Sequence, residues 1–309
     1  MPFDFIEQGI ARVRRIAPEL LALWLLVVLA AASWIVALSI LPRPLEVVSF
    51  SVGDGDCYLI RAPSGRTLLL DGGSRNVPDI GERVIVPNLL LLGVRKLDAI
   101  LITHPDSDHL NGLPAVMEAV PVGMILDPGI PSETAPYQTV LELAKQRHIP
   151  HYVLRTGHQV NLGGTACLRI LAPSEPFLHG THSDTNNNCV VSRLEYGHAR
   201  MLFTGDLELE GEAALLDRHP DMCAEVLAVA HHGSRYGTSE AFLNAVAPRI
   251  ANISSRGDPG GEHPHAEVLA RLRARNLTIL RTDVNGQIQF TTDGRDWQVR
   301  TFRQAAEAQ

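Results

Sequence analysis

One short segment concentrates side chains that can bind metal ions. Residues 103–109 read Thr-His-Pro-Asp-Ser-Asp-His, and they supply two imidazoles and two carboxylates from His104, Asp106, Asp108 and His109. Imidazole nitrogens and carboxylate oxygens are common ligands of divalent cations in proteins. A turn whose aspartate caps the following helix would explain one of these groups, but not all four. The segment therefore predicts a site for one or two divalent ions.

Two further clusters also follow apolar, strand-like runs. Asp206 comes after the apolar run 201–203 and a permissive glycine, and His231 and His232 come after the run 226–230. A carboxylate in this position suits a bridge between two cations. Because α/β proteins gather their sites at the carboxyl ends of strands, we expect the three clusters to converge. The sequence thus predicts a dinuclear metal site.

The elements that must position these clusters form two similar halves. Each half opens with short β-rich runs and continues as alternating strands and helices, without a fixed-period repeat or low-complexity linker. The predicted strands are 46–52, 57–61, 67–70, 99–103, 123–126, 151–154, 159–162, 165–171, 189–196, 199–203, 225–230, 249–253, 278–281, 286–291 and 297–301. The predicted helices are 80–92, 112–120, 134–147, 207–217, 239–247 and 265–275. The pattern favours one α/β domain built from both halves.

The composition limits the partners of this domain. The 309 residues are 45% hydrophobic, which is too apolar for a disordered chain. Acidic residues outnumber basic ones by 34 to 27, giving a net charge of −7. The chain therefore offers no globally basic surface for duplex DNA, and any nucleic acid must be held locally.

The four cysteines exclude one class of metal site. Cys57, Cys167, Cys189 and Cys223 are widely spaced and form no Cys-x-x-Cys pair, which excludes a zinc ribbon. Three of them lie in strand-like runs, where a buried free thiol is the simplest interpretation. An oxidising compartment would permit one disulfide, but the sequence does not pair them.

An uncharged apolar run near the N-terminus predicts a transmembrane helix. Residues 20–41 contain no charged side chain and, as a helix, span about 33 Å, enough for a hydrocarbon core of about 30 Å. Arg12, Arg14 and Arg15 precede the run and Arg43 follows it, which places the N-terminus in the cytoplasm. A signal peptide is the alternative, but the run is longer than a typical apolar signal core.

The motifs and their order resemble those of the metallo-β-lactamase superfamily. The resemblance begins at residues 68–73, Leu-Leu-Leu-Asp-Gly-Gly, and continues through the histidine-rich loop, Thr204-Gly205-Asp206 and His231. Within the superfamily, the chain is most similar to the extracytoplasmic hydrolase domain of ComEC-type DNA-uptake competence proteins. The segments that carry this second resemblance are 52–60, 104–112, 186–188, 231–234 and 263–265.

The resemblance implies an αββα four-layer sandwich with a two-metal centre. It assigns His104 and Asp106 to the first ion and Asp108 and His109 to the second, with Asp206 as the bridge and His231 completing the second site. Two ions lower the pKa of a shared water, which Asp108 would orient or deprotonate. Aspartate stands at 106, and Asp and Asn at 184–188, where the superfamily usually has histidine. These oxygen ligands widen the metal from Zn²⁺ towards Mn²⁺ or Mg²⁺.

Other candidate residues have two interpretations each. His263 resembles a late histidine near the leaving group, and a surface loop histidine is the alternative. His232 and Ser234 are candidates for binding substrate, although Ser234 could instead begin the next helix. Asn187 could replace a ligand or belong to an ordinary polar turn. Asp56 and Asp71 are expected to be structural, bonding to the loop backbone beneath the site.

The resemblance implies a membrane-anchored phosphodiesterase, a nuclease acting on DNA outside the inner membrane of a bacterium. Its expected partners are the membrane, DNA and a separate multi-helix channel protein, because competence proteins carry a multi-helix channel and this chain has one predicted span. The expected divisions are a cytoplasmic segment 1–19, the span 20–41, the hydrolase domain 45–302 and a tail 303–309. The alternatives are a hydrolase of another exported small ester or phosphoester, such as an envelope phosphorylcholine, and a non-catalytic assembly module for DNA uptake.

Overall fold

The computed structural model describes residues 18–34, 43–219, 221–257 and 263–303. The chain divides between Arg43 and Pro44 into two units. In the first unit, residues 18–34 are helical and their side chains are exposed. Among the described residues no helix is both long and apolar enough to cross a membrane. Residues 35–41 of the predicted span lie outside the described residues.

The second unit contains two mixed β-sheets. The strands of the first sheet are, in spatial order, β15 (Trp297–Thr301), β14 (Ile288–Thr292), β1 (Leu45–Ser49), β2 (Tyr58–Arg61), β3 (Thr67–Leu70), β4 (Ala99–Leu101), β5 (Ile125–Asp127) and β6 (His151–Val153). Those of the second are β13 (Thr278–Arg281), β12 (Ile250–Ile253), β11 (Val226–Ala228), β10 (Ala199–Phe203), β9 (Val191–Tyr196), β8 (Ala166–Ala172) and β7 (Gln159–Gly163). In each sheet an antiparallel part continues into parallel strands, as expected from β-rich runs followed by alternating units.

Helices cover the outer faces of both sheets. They are α1 (Val86–Leu91), α2 (Ser107–Leu110), α3 (Leu113–Ala119), α4 (Ala135–Gln146), α5 (Asp184–Asn187), α6 (Leu209–Arg218), α7 (Glu240–Val246), α8 (Ala266–Ala274) and α9 (Thr282–Asn285), with a π-helical turn at Gly81–Ile85 and a 3₁₀ turn at Ala230–Gly233. One apolar cluster lies between the sheets, and two others lie under the helices on either side. The predicted α/β sandwich is thereby confirmed.

Successive side chains of a strand point to opposite faces of the sheet, so one strand contributes to two apolar clusters. Val47 of β1 belongs to the cluster between the sheets, whereas Val48 packs under the helices of the first sheet. Because both faces are covered, all five residues of the strand are buried. The rings of Tyr58 and Phe203 meet edge to face at 5.1 Å and join the two sheets.

Two strands end earlier than their apolar runs. The run 99–103 predicts a strand through Thr103, but β4 ends at Leu101, because the Thr103 amide donates to the Asp71 carboxylate instead of a neighbouring strand. Similarly, β11 ends at Ala228, before the run is complete, and the chain turns at His231 and His232, which both have positive φ. The backbone thus leaves each sheet where the candidate ligands begin.

The loop over the histidine-rich segment is held by a buried carboxylate. Asp127, at the end of β5, accepts hydrogen bonds from Tyr137 Oη at 2.7 Å and from the Gly129 amide at 2.7 Å. His151 Nε2, on the edge strand β6, lies 2.9 Å from the same carboxylate. From that loop Thr134 Oγ1 donates to the Pro105 carbonyl at 2.9 Å, so Asp127 supports one wall of the candidate site.

Replacing His151 should change how the thermal stability of the protein depends on pH. The hydrogen bond with Asp127 raises the pKa of His151 in the folded protein. The ion pair therefore stabilises the fold fully below the pKa of histidine in the unfolded chain, about 6.5, and this stability is lost as pH rises through the pKa of His151 in the folded protein. We expect His151→Gln to lower Tm by about 1–3 °C near pH 6 and by less near pH 9. For His148→Asn, at an exposed turn, the Tm difference from the unchanged protein should be the same at both pH values. A larger Tm loss for His151→Gln at pH 9 than at pH 6 would contradict this role of the ion pair.

Candidate metal centre

Asp71 is the buried carboxylate on which the histidine-rich loop is fastened. It follows β3 directly, has a left-handed backbone (φ 54°) and is fully buried. Its Oδ1 accepts from the Thr103 amide at 2.7 Å, and its Oδ2 accepts from Thr103 Oγ1 at 2.7 Å and lies 2.9 Å from His109 Nδ1. One side chain therefore ties the end of β3 to the loop that follows β4.

These contacts fix the orientation of two imidazoles. Thr103 Oγ1 gives its proton to Asp71 and lies 3.0 Å from His104 Nδ1, so it accepts from that ring. His109 Nδ1 donates to Asp71 in the same way. With both Nδ1 atoms engaged, both Nε2 atoms face the Asp206 carboxylate, at 3.9 Å from His104 and 3.0 Å from His109, and each can bind a metal once it carries no proton.

The loop packs so closely that one glycine is required beneath it. A Cβ atom at Gly73 would lie 2.5 Å from the backbone of Asp108 and from the amide of Leu110. Any side chain at this position would push α2 away from β3. The glycine pair after Asp71 therefore permits the loop to deliver Asp108 and His109 to the same point.

Asp206 lies at the centre of the cluster. It follows β10 after Gly205, and four histidine rings surround its carboxylate. In addition to the two rings above, His231 Nε2 lies 3.5 Å from Oδ2 and His232 Nε2 lies 3.7 Å from Oδ1. Ligand atoms of Asp108, His109, Asp206 and His232 all lie within 4.8 Å of one another, and all four residues are buried.

The histidine pair is divided differently from the sequence-based assignment. The resemblance gives His231 to the ion of Asp108 and His109, but the tightest group contains His232, whose Nε2 lies 3.8 Å from Asp108 Oδ2. The two residues have φ values of 49° and 55°, so consecutive imidazoles converge on Asp206 from different sides. Such conformations cost about 1–3 kcal/mol each and persist where other contacts hold them.

The remaining predicted ligand lies at the solvent edge. Asp106 Oδ2 is 3.6 Å from His104 Nε2, and its side chain is 44% exposed. His104 and His231 thus face Asp206 Oδ2, with Asp106 beside His104. On the other side His109 and His232 face Asp206 Oδ1, with Asp108 beside His232. The arrangement offers two groups of donors that share Asp206.

The donor atoms fit a divalent cation. Several buried nitrogen and oxygen atoms that face one another make no hydrogen bond within the described chain: His104 Nε2, His109 Nε2, His232 Nε2, Asp108 Oδ2 and Asp206 Oδ1. Leaving such atoms unsatisfied costs about 1–3 kcal/mol each, and more for charged groups. A cation with imidazole and carboxylate ligands would satisfy all of them together.

The electrostatics of the cluster also call for positive charge. Burial opposes ionisation of Asp206, but the charges of His109 and His232 outweigh it and hold the pKa of Asp206 well below its usual range. The reverse balance raises the pKa of His232 to about 9, since the Asp206 and Asp56 charges overcome the effect of burial. Protons on imidazoles can thus neutralise the carboxylates, and metal binding would release them.

Asp56 lies at the back of the cluster. Its Oδ1 is 3.9 Å from His232 Nδ1, and burial raises its pKa to about 6. Its backbone carbonyl accepts from the Gly73 amide at 3.2 Å, beside the close contact of Gly73 with Asp108. Asp56 therefore belongs to the support of His232 and of the glycine turn.

The other candidates lie at different distances from the cluster. The His263 ring centroid is 5.4 Å from that of His231, and burial followed by the charges of His232 and His231 lowers its pKa to about 4. Ser234 Oγ accepts from the Tyr236 amide at 3.4 Å. Asn187 donates to Thr181 and accepts from the Gly211 amide at 2.8 Å, so its described hydrogen bonds hold α5 against α6.

Glu208 is a site residue that the sequence does not reveal. It is buried, with Oε1 at 3.4 Å from His231 Nδ1 and Oε2 at 2.8 Å from His182 Nδ1. Burial opposes its ionisation, but the contact with His231 and the hydrogen bond with His182 lower its pKa. An anion against Nδ1 directs His231 Nε2 towards Asp206. In the sequence Glu208 falls at the start of a predicted helix, where an acidic residue is ordinary.

The fold and the site together define a known class. The chain belongs to the metallo-beta-lactamase superfamily, whose family model matches residues 51–257 and so includes the whole cluster described above. The resemblance found in the motifs is thereby confirmed, and the class is that of metal-dependent hydrolases.

Competence proteins are among its relatives. The chain is 31% identical over 259 residues to ComE operon protein 3 of Bacillus subtilis, covering 79% of this chain and 33% of that protein. It is 33% identical over 250 residues to competence protein ComA of Neisseria gonorrhoeae, covering 79% and 32%. The chain thus spans about a third of the length of these relatives. Among solved structures, the diiron β-hydroxylase CmlA of Streptomyces venezuelae shares the fold, at 14% identity and a TM-score of 0.50, over 81% of this chain and 54% of that one.

Loading the cluster with metal should stabilise the protein. With Mn²⁺ or Zn²⁺ at about 100 times its dissociation constant, we expect a rise in Tm of about 5–10 °C over chelator-treated protein. Asp206→Asn should abolish most of that rise, because it removes the carboxylate shared by both groups of donors. Asp98→Asn, a change at a carboxylate paired with Lys96, should keep it. An equal rise in both variants would show that the metal binds elsewhere.

Proposed function

We propose that this chain hydrolyses phosphodiester bonds in DNA. The proposal rests on the position of Arg75. Its Nε lies 3.6 Å from Asp108 Oδ2, and its side chain is 54% exposed. A half-exposed guanidinium beside buried metal-binding groups can hold a phosphate oxygen at the mouth of the site. The relatives that are named as competence proteins support DNA as the source of that phosphate.

The metal ions would be held in two groups. His104, Asp106 and His231 would bind the first, Asp108, His109 and His232 the second, and Asp206 would bridge them. When bound, the ions supply Lewis-acid charge and a water of lowered pKa. The mixture of imidazole and carboxylate ligands suits Zn²⁺ or Mn²⁺, with Mg²⁺ as a further candidate.

The side chains of this chain then divide the remaining work. Asp108 is ionised, because His232 and the charge of His109 outweigh its burial and lower its pKa, so it can accept a hydrogen bond from the attacking water and orient it. Arg75 binds the phosphate and steadies the charge that develops on it. His263, whose low pKa keeps it neutral, offers a ring N–H to a substrate oxygen near His231.

Two substitutions test this division. With Mn²⁺ or Zn²⁺ bound, Asp108→Asn should lower the cleavage rate of oligonucleotides at least about 100-fold, and Arg75→Gln should lower it less, chiefly through KM. Cleavage is measured on single- and double-stranded DNA and on bis(p-nitrophenyl) phosphate, with Asp98→Asn as the matched control.

The same assay can contradict the proposal. It fails if metal-loaded protein cleaves none of these phosphodiesters. Turnover of small phosphorylcholine esters that DNA does not inhibit would favour a hydrolase of another exported ester. Metal-dependent stability without turnover of any substrate would favour an assembly module.

We further propose that residues 20–41 anchor the chain in the inner membrane with the hydrolase domain outside. The run carries no charge, and the described helix 18–34 exposes large apolar side chains such as Leu20, Trp24 and Leu26. A multi-helix channel protein is the partner that the resemblance to competence proteins suggests, and the chain spans about a third of the length of those relatives.

Membrane extraction tests the anchor. The full chain should remain in the membrane fraction after alkaline carbonate, and an alkaline phosphatase fused after Gln309 should be active. Replacing Leu23 and Leu26 by Arg should release the chain from the membrane, because each central charge costs about 2.5–3.5 kcal/mol. Release of the unchanged chain by carbonate would overturn the proposal.

A further inference from the structure

Two aromatic rings stack on one another beside the metal centre. The centroids of His182 and Tyr236 are 4.3 Å apart with an angle of 26° between the ring planes. Tyr236 is 43% exposed, and the side chain of His182 is 52% exposed. Each ring therefore covers one face of the other and still presents surface to solvent. Exposed aromatic rings in fixed orientations are the surfaces on which nucleobases stack.

The pair is held rigidly by the residues that build the centre. His182 Nδ1 lies 2.8 Å from Oε2 of Glu208, and Oε1 of the same carboxylate faces His231. The Tyr236 carbonyl accepts from the Leu209 amide at 2.8 Å. The His182 ring and the backbone of Tyr236 are thus tied to the short segment that follows Asp206, and one carboxylate separates the stack from a candidate metal ligand.

The residue before Tyr236 in the chain carries a positive charge. Arg235 precedes Tyr236, is exposed, and has no ion-pair partner in the described part of the chain. An arginine without a carboxylate partner can bind a backbone phosphate. An exposed positive charge is thus one residue away in the chain from an aromatic surface, and single-stranded nucleic acids bind to surfaces that combine the two.

We propose that His182 and Tyr236 form a stacking platform for an unpaired base of the strand whose phosphate is cleaved, with Arg235 on the neighbouring phosphate. The inference rests on the proposed function and adds a substrate class to it: single strands rather than duplexes. In a duplex both faces of a base are covered by its neighbours, so the platform cannot reach them. The stack makes no demand on sequence, because every base has a π-face.

A pair of substrates that differ only in their bases tests the platform. Full-length, metal-loaded protein is given oligothymidylate or an abasic phosphodiester strand of equal length and charge, and the ratio of the two kcat/KM values is measured. The unchanged protein should prefer the strand with bases by about fivefold or more. Tyr236→Leu should bring the ratio close to one, whereas Tyr236→Phe, which keeps the ring, should retain it.

A matched control lies on the other sheet. Tyr152 of β6 is 54% exposed, so Tyr152→Leu removes an equally accessible ring away from the centre and should leave the ratio unchanged. A ratio of one in the unchanged protein, or an equal loss in both leucine variants, would overturn the platform. Thermal unfolding of each variant shows that the ratio is compared between folded proteins.

Measuring the affinity for labelled strands tests the platform independently of the proposed function. Fluorescence anisotropy of labelled strands with the Asp108→Asn protein measures affinity without cleavage. If no phosphodiester is hydrolysed but oligothymidylate still binds at least about fivefold more tightly than the abasic strand, and Tyr236→Leu removes the difference, the platform stands and the nuclease fails. Cleavage of both strands, together with equal affinity for them, would support the nuclease and overturn the platform.

Discussion

The site depends on the bond between a buried carboxylate and a threonine just beyond β4. Asp71 sits in a left-handed conformation at the end of β3 and binds both the amide and the hydroxyl of Thr103. This contact ends β4, and it turns the chain out of the sheet at the point where the histidines begin. Since Thr103 in turn accepts from His104, and Asp71 also holds His109, one carboxylate orients two imidazoles towards Asp206. A buried aspartate with this many partners is costly to replace, because removing it leaves each partner unsatisfied.

The charge of the cluster explains how an acidic protein can act on an anion. Asp56, Asp71, Asp108 and Asp206 are all buried within one small volume, where protons on the neighbouring histidines can offset their charge. Two divalent cations would bring four positive charges against the five carboxylates Asp56, Asp71, Asp106, Asp108 and Asp206. The attraction for a phosphate would therefore come from the cations themselves and from Arg75 at the mouth. Attraction for a phosphate is then local and falls off within about 8 Å at physiological salt. The net charge of −7 therefore excludes a broad basic groove and leaves a metal-centred contact available.

The parts of the fold that follow from the sequence are those set by short-range patterns. The predicted bounds of strand β10 are correct, because alternating or continuous apolar residues between turns determine strands locally. The convergence of His104, His109 and Asp206 also follows from the sequence, because all three lie just beyond the ends of strands. Which member of the histidine pair joins Asp108 depends on two positive φ angles, for which histidine carries no sequence signal.

Glu208 is not predicted from the sequence for a different reason. It contacts two parts of the site that are far from it in the chain. Its partners His231 and His182 are distant from it in sequence, so no motif contains all three. In space, however, one oxygen of Glu208 faces a candidate metal ligand and the other faces the stacked ring pair. Any shift of this carboxylate moves both surfaces together, since each imidazole is oriented through its Nδ1. The position of the proposed base relative to the metal centre is thus set by the length of one glutamate side chain, which a shorter aspartate could not bridge in the same way.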